Sequence, residues 1–321
     1  MPEEVTKTMS SPQPVFMVGS VRSGTTLLRL CLDYHPEITF LHESEFLFRY
    51  LDEQGNSPAP NDYLARLEAD WVYRESGLTA DPSLGTAKQI DHLLTQRAIE
   101  QGSSVAGATI HHDYTHIPRY YPDAKYIHLI RDGRDVANSV VGMLLAGNKY
   151  YASDVWLRAV REWEVLKPKL REDQYIEIRF EDFVRDSDAT LAAICAFLGL
   201  PFTEAMYSFE ETTTYSRPEP SPAERWRSWS KQELSALERK LGKTLQAYGY
   251  PLSTEHAEGS VGAFERLGLW LDNKRRVASA RIDRYGLPLY AKRQLVKLFP
   301  IPAYRASVLE QVLSKDLACR K

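Results

Sequence analysis

Short apolar runs alternate with longer amphipathic stretches over most of the chain. Residues 15–18 form an apolar run closed by Gly19, the pattern of a buried strand. Residues 25–34 place apolar side chains on most faces of a helix, which His35-Pro36 stops. Residues 38–41, 104–110, 126–130 and 175–178 read as further short strands. Helical spacing predicts 61–76 (capped by Asn61 or Asp62), 86–101 before Gly102, 136–145 and 153–170. Asp188 is the expected cap of a helix over 189–198, and Ser230 with Glu233 spells a capping box for one ending near Tyr248.

Strands alternating with helices predict an α/β, three-layer, P-loop-like fold with a central parallel sheet flanked by helices. Ligands of such sheets bind beyond the carboxyl ends of the strands. The expected organisation is a flexible segment over 1–13, one domain over 14–254, and a basic helical C-terminal extension over 255–321. Residues 213–229, rich in Pro, Ser and Arg and without periodicity, read as a long functional loop.

Composition narrows the field. The 321 residues are 43% hydrophobic and 26% charged, enough for a sizeable core. A net charge of −3 speaks against a nucleic-acid partner for the whole molecule. The charge is uneven, since residues 251–321 hold 13 Lys/Arg against 7 Asp/Glu. Cys31, Cys195 and Cys319 are far apart and odd in number, so no disulfide framework is expected and a reducing compartment fits. The polar opening with Pro2, Pro12 and Pro14 is unlike a signal peptide, and no apolar run reaches the roughly 18 residues of a membrane span. The expected location is the cytoplasm.

The informative segment is Gly19-Ser20-Val21-Arg22-Ser23-Gly24-Thr25-Thr26, between a strand and a helix. Such a turn aims backbone N–H groups at one spot at a helix N-terminus, which makes an anion cradle. The lysine of a nucleotide-triphosphate loop is replaced by Thr25, and the positive charge sits on Arg22 instead. A second strand-to-helix turn, Arg131-Asp132-Gly133-Arg134-Asp135, places Arg131 on the same rim, with Ser139 one to two turns into the helix. Asp132 and Asp135 are also suited to pairing with Arg134 and capping that helix. Two anion sites on one rim suit a nucleotide carrying phosphates at two places.

At these two segments the chain resembles the sulfotransferases that use 3′-phosphoadenosine-5′-phosphosulfate (PAPS), over about residues 14–250. Leu27-Leu28-Arg29, Asp33-Tyr34-His35-Pro36-Glu37, Arg179-Phe180-Glu181-Asp182 and Phe197-Leu198-Gly199-Leu200-Pro201 add to the likeness. The spacing is most similar to the tyrosylprotein sulfotransferase branch. The resemblance implies that Arg22, Ser23, Gly24, Thr25 and Thr26 hold the 5′-phosphosulfate. It implies that Arg131 and Ser139 hold the 3′-phosphate, with Arg225 a further basic contact, and that Glu43 takes the acceptor proton. It departs from the family where a Lys-containing element is expected, at Gly107-Ala108-Thr109-Ile110-His111-His112. A cationic helper at the reacting centre is therefore missing or replaced by His111; because other branches of the family use a histidine near this point, the resemblance also makes His111 the rival for the role of base. Membrane-anchored members also carry a leader helix that this chain is expected to lack.

The implied reaction is transfer of a sulfuryl group to an acceptor hydroxyl, an in-line displacement governed by positioning and charge stabilisation, for which no metal is demanded. The acceptor class (tyrosine, glycan, lipid or small phenol) is open, as is the oligomeric state. Two other readings stand beside this one: a P-loop kinase of small molecules, and a non-catalytic nucleotide-binding module at a membrane. His112-Asp113-Tyr114-Thr115-His116 mimics a zinc-protease motif, but Pro118 cuts the helix and no third ligand is in sight, so no metal is assigned. Residues 273–305 carry nine Lys/Arg and one acid among aromatic and aliphatic residues. They read either as a peripheral membrane surface or, more plainly, as a solvated face packed through its apolar side.

Overall fold

The computed structural model describes residues 11–220, 225–253, 259–299 and 302–318. The expected N-terminal segment therefore lies mostly outside the described residues, as do Cys319 and part of the 213–229 loop. The described residues fall into two compact units, 1–136 with 155–228 and 137–154 with 229–321. The expected extension over 255–321 lies within the second of them.

The first unit is built on β1 (Gln13–Val18), β2 (Ile38–Glu43), β3 (Val105–Ile110), β4 (Lys125–Ile130) and β5 (Tyr175–Arg179), all parallel in the order β2-β3-β1-β4-β5. Between them run α1 (Thr25–Asp33), α2 (Pro60–Ala69), α3 (Trp71–Glu75), α4 (Thr86–Gln101) and α5 (Ile117–Tyr120). α6 (Gly133–Gly142) and α7 (Lys149–Leu166) each pass from one unit to the other, and α8 (Phe180–Arg185) and α9 (Ser187–Leu198) follow β5. The second unit adds α10 (Lys231–Ala247), α11 (Ala263–Tyr285), α12 (Leu287–Leu298) and α13 (Pro302–Ala318).

β1 is central, and residues 15–18 are wholly buried. Their side chains alternate between the two faces. Val15 and Met17 join a core with Leu28, Leu32, Ile127, Leu129 and Phe183, while Phe16 packs against the rings of Phe48, Tyr121 and Tyr126. A covered parallel sheet explains why these strands read as continuous apolar runs rather than alternating ones.

Several boundaries differ from the sequence pattern for local reasons. The expected helix over 61–76 is two helices, α2 and α3, broken at Asp70. That residue is extended (φ −81°, ψ 118°), caps α3 through Val72 N–H, and binds Arg49 Nη1 and Tyr50 Oη, each at 2.7 Å. α9 is capped by Asp186, which accepts from Ala189 N–H, rather than by Asp188. α6 begins at Gly133, one turn before the expected 136, where a Cβ would lie 2.6 Å from the Trp156 ring. α7 begins at Lys149 rather than 153.

Gly107 lets the ring of Phe40 cross β3, for a Cβ there would meet that ring at 2.2 Å. Gly107→Ala is expected to destabilise the protein by about 1–3 kcal/mol through overpacking. Urea unfolding checks this as a lowered midpoint with an unchanged slope.

Candidate active site

Because all five strands run the same way, the glycine turn after β1, Glu43 at the end of β2, His111 after β3 and Arg131 after β4 share the carboxyl rim of the sheet. The turn after β1 is tightly determined. Gly19 (φ +153°) admits the Leu129 carbonyl, which would stand 2.3 Å from a Cβ. Gly24 (φ +93°) lies against the Phe180 ring, again 2.3 Å from where a Cβ would be. Between them Arg22 adopts a left-handed backbone (φ 70°), a conformation that costs about 1–2 kcal/mol in a non-glycine residue. Ser23 N–H bonds the Ser20 carbonyl at 3.1 Å. The Ser23 side chain is fully buried, and its hydroxyl has no hydrogen-bond partner among the described residues. Gly24 caps α1 without a side-chain bond, so the first amides of that helix face the turn with no side-chain cap.

The second turn is tied to the first. Arg131 Nη1 donates to the Arg22 carbonyl at 3.3 Å, and its guanidinium stacks 4.3 Å over the Phe180 ring. Burial lowers the Arg131 pKa, and the charges of Arg225 and Arg22 push it the same way against Asp135 and Glu181. Arg131 Nη2 stands 3.9 Å from Asp135, whose carboxylate also takes the Arg225 backbone N–H, so Arg131 joins the Arg22 turn to the start of the Arg225 segment. Arg22 and Arg225 are exposed, while the Arg131 side chain is 11% exposed.

The remaining charges of this turn are structural. Arg134 is wholly buried, forms a bidentate pair with Asp132 (2.6 Å at the shortest) and stacks 3.4 Å over Trp226. Asp135 does not pair with Arg134; it accepts from the backbone N–H groups of Arg225 (3.3 Å) and Trp226 (3.1 Å). Asp132 N–H donates to Glu181 Oε1 at 2.9 Å, and Trp156 Nε1 donates to the Arg131 carbonyl at 2.9 Å. Ser139 stands on α6, half-buried, within the second unit.

The two candidate bases differ in surroundings. Glu43 is exposed at the end of β2, opposite Thr109, where the register shifts. His111 is 6% exposed, with both ring nitrogens engaged. Glu45 Oε1 lies 2.7 Å from its Nδ1 and 3.1 Å from its backbone nitrogen, and Thr25 Oγ1 lies 3.1 Å from its Nε2. An ionised carboxylate only accepts, so Nδ1 carries a hydrogen in this network. Burial favours a neutral Glu45, but the hydrogen bond and charge of His111 outweigh it and hold the carboxyl down at about 2. Glu45, Phe180 and Glu181 thus matter to the site although sequence reading gave them no role. The recurring Arg179-Phe180-Glu181-Asp182 segment was the one available signal for two of them.

The zinc-protease mimic is occupied otherwise. His112 Nδ1 lies 2.7 Å from Asp113, which also takes Arg158 at 2.8 Å. Among the described residues, no group of three or more His, Cys, Asp or Glu side chains is placed to hold a metal ion.

Residues 14–204 match the model of the Sulfotransferase family, and the chain belongs to that family. Its relatives include protein-tyrosine sulfotransferase A of Caenorhabditis elegans, 23% identical over 61% of this chain, and protein-tyrosine sulfotransferase 1 of Danio rerio, 26% identical over 62%. The aligned regions cover 52% and 56% of those two proteins, so the chain spans about half the length of each. Among solved structures, the sulfotransferase domain of the Synechococcus PCC 7002 olefin synthase is 25% identical, with a TM-score of 0.55 over 76% of this chain and 97% of that one.

Glu45 gives a pH prediction. A carboxyl held at about 2 when folded, against an ordinary 4.5, stabilises the fold above pH 4.5, and that stability is lost as pH falls toward 2. Urea unfolding of the wild type is therefore expected to show stability dropping by a few kcal/mol across that window, and Glu45→Gln to show a smaller drop, the rest coming from groups such as Glu177 that are held equally low.

Proposed function

We propose that this protein transfers a sulfuryl group from PAPS to an acceptor hydroxyl, leaving adenosine 3′,5′-bisphosphate. The observation that carries the proposal is the meeting of Arg22, Arg131 and Arg225 beside a glycine turn whose buried Ser23 hydroxyl has no partner among the described residues. That cradle fits a doubly phosphorylated ligand: backbone amides and Ser23 for one anion, a cluster of guanidinium groups for the rest.

When bound, PAPS supplies a sulfuryl group whose bond to the phosphate oxygen breaks as the acceptor oxygen takes the sulfur. Arg22, with Ser23, Thr26 and the amides of the turn, binds the 5′ end and balances charge on the departing phosphate. Arg131 and Arg225 hold the 3′-phosphate. Glu43 accepts the acceptor proton at a carboxylate oxygen. It is exposed at the rim, as a base that must meet a second substrate has to be. His111 and Glu45 act as positioning residues, since their facing atoms are bonded to each other and to Thr25.

The kinase reading lacks its charge. The position where a triphosphate loop carries lysine is Thr25, buried and bonded to His111. Both curated relatives named above are called protein-tyrosine sulfotransferases, which makes a tyrosyl peptide the first acceptor to try. A cytoplasmic location belongs to the same proposal. Cys31 and Cys195 are free, buried thiols, and burial pushes them up to about 12 and about 11.

Adenosine 3′,5′-bisphosphate is expected to raise the melting temperature by several degrees without added magnesium, and Arg131→Ala to remove most of that shift. Glu43→Gln is expected to lower transfer from labelled PAPS about a hundred- to ten-thousandfold while keeping the thermal shift. Protection by ATP with magnesium and none by the bisphosphate overturns the proposal. Full activity in Glu43→Gln removes that residue from the role of base.

A further inference from the structure

Part of the apolar surface of α11 and α12 faces solvent. α11 is fixed within the second unit by polar bonds: Asn273 Oδ1 accepts from Gly147 N–H at 2.7 Å. Asn148 Nδ2 donates to the Leu269 carbonyl at 2.9 Å and to Asp272 at 3.1 Å. Phe264, Leu267 and Leu271 lie roughly half a turn away on the same helix. They are 92%, 53% and 54% exposed. α12 repeats the arrangement, with Val296 buried while Leu287, Leu295 and Leu298 on other sides are exposed and Phe299 follows them. Residues 273–305 thus bury some apolar side chains, Val296 among them, and leave Leu287, Leu295, Leu298 and Phe299 exposed.

Two exposed cations of α11, Lys274 and Arg275, flank the stripe of Phe264, Leu267 and Leu271 along the helix. Lys274 lies 5.7 Å from the Trp270 ring and Arg293 5.8 Å from the Tyr285 ring. Burial lowers the Lys297 pKa, and the neighbouring charges of Arg281, Arg293 and Lys274 lower it further, so four cations from α11 and α12 share one neighbourhood. One acid, Asp283, stands among the nine Lys/Arg of 273–305. Exposed apolar side chains gathered along one face of a helix mark an interaction surface, and a buried protein–protein core is depleted of charge. Apolar side chains beside clustered cations match the boundary of an anionic bilayer, where acyl chains take the one and headgroups the other. Among the described residues no helix is long and apolar enough to cross a membrane, so the contact is with its surface.

We propose that α11 forms a docking surface for an anionic lipid bilayer, through Phe264, Leu267 and Leu271 with Lys274 and Arg275 on either side of them. This holds whether or not the transfer reaction is as proposed above. The test is flotation of the full chain with vesicles of phosphatidylcholine alone, or with about a third phosphatidylserine. The anionic vesicles are expected to bind at least about tenfold more tightly, and raising salt from about 0.1 to 0.5 M to weaken that binding strongly. Lys274→Glu with Arg275→Glu, both exposed, is expected to weaken binding about twentyfold or more, at roughly fivefold per charge. Phe264→Ser with Leu271→Ser is expected to weaken it at least tenfold, with an unchanged melting temperature for either pair. Equal binding to neutral vesicles, no binding, or unchanged binding in both variants overturns the proposal. So does a dimer in sedimentation velocity that Phe264→Ser with Leu271→Ser dissociates.

Discussion

Phe180 is wedged between the two anion-facing turns. Its ring fills the space a side chain at Gly24 would need and supports the Arg131 guanidinium at 4.3 Å. The next residue, Glu181, takes the Asp132 N–H and so fixes the backbone of the second turn. A parallel sheet brings strand ends to one rim but does not set their spacing to an ångström. Here the pair that follows β5 does so, and both phosphate-facing turns inherit their separation from it. Loosening that contact would move Arg22 and Arg131 relative to each other, and positioning is most of what such a site has to offer.

Holding three guanidinium groups together is unfavourable unless something offsets their repulsion. Asp135 and Glu181 do so in part, but each carboxylate is also bonded to backbone amides. The field is therefore compensated enough to fold and still positive enough to attract a multiply charged anion. Arg134 shows the opposite solution. Paired with Asp132 on one side and stacked on Trp226 on the other, it is neutralised within the scaffold. Two arginines three residues apart thus divide the work: one presents charge, the other locks the Arg225-Trp226 segment against the start of α6.

Local pattern was enough to find the five strands, the glycine turn and the capping box of α10, because each is written in neighbouring residues. Gly24, Gly102 and Gly199 all adopt the positive φ at the helix boundaries where they were expected. What could not be read is what the fold brings together from afar. Glu45 and His111 are 66 residues apart, and neither stretch advertises the other. Asp70 broke a helix because Arg49 and Tyr50 converge on its carboxylate, a tertiary reason that helical spacing cannot contain. The roles of Asp132, Arg134 and Asp135 were legible as a choice between anion site and scaffold. Only geometry shows that those three are bonded into the scaffold.

Glu43 and Glu45 show how two carboxylates two residues apart come to opposite uses. An unbroken strand would turn both to the same side. The register shift after Leu41 and the tight turn over Glu45–Leu47 end that alternation. Glu45 falls inward, 5% exposed, where Oε1 is committed to two N–H groups of His111. A carboxylate held that low and so bonded is a poor proton acceptor for a second substrate. Glu43 stays at the open edge, where an acceptor hydroxyl can approach it. The buried carboxylate in turn orients the imidazole that holds Thr25, the first residue of α1. Two neighbouring acids thus end in different settings, one open at the rim and one bonded within the scaffold.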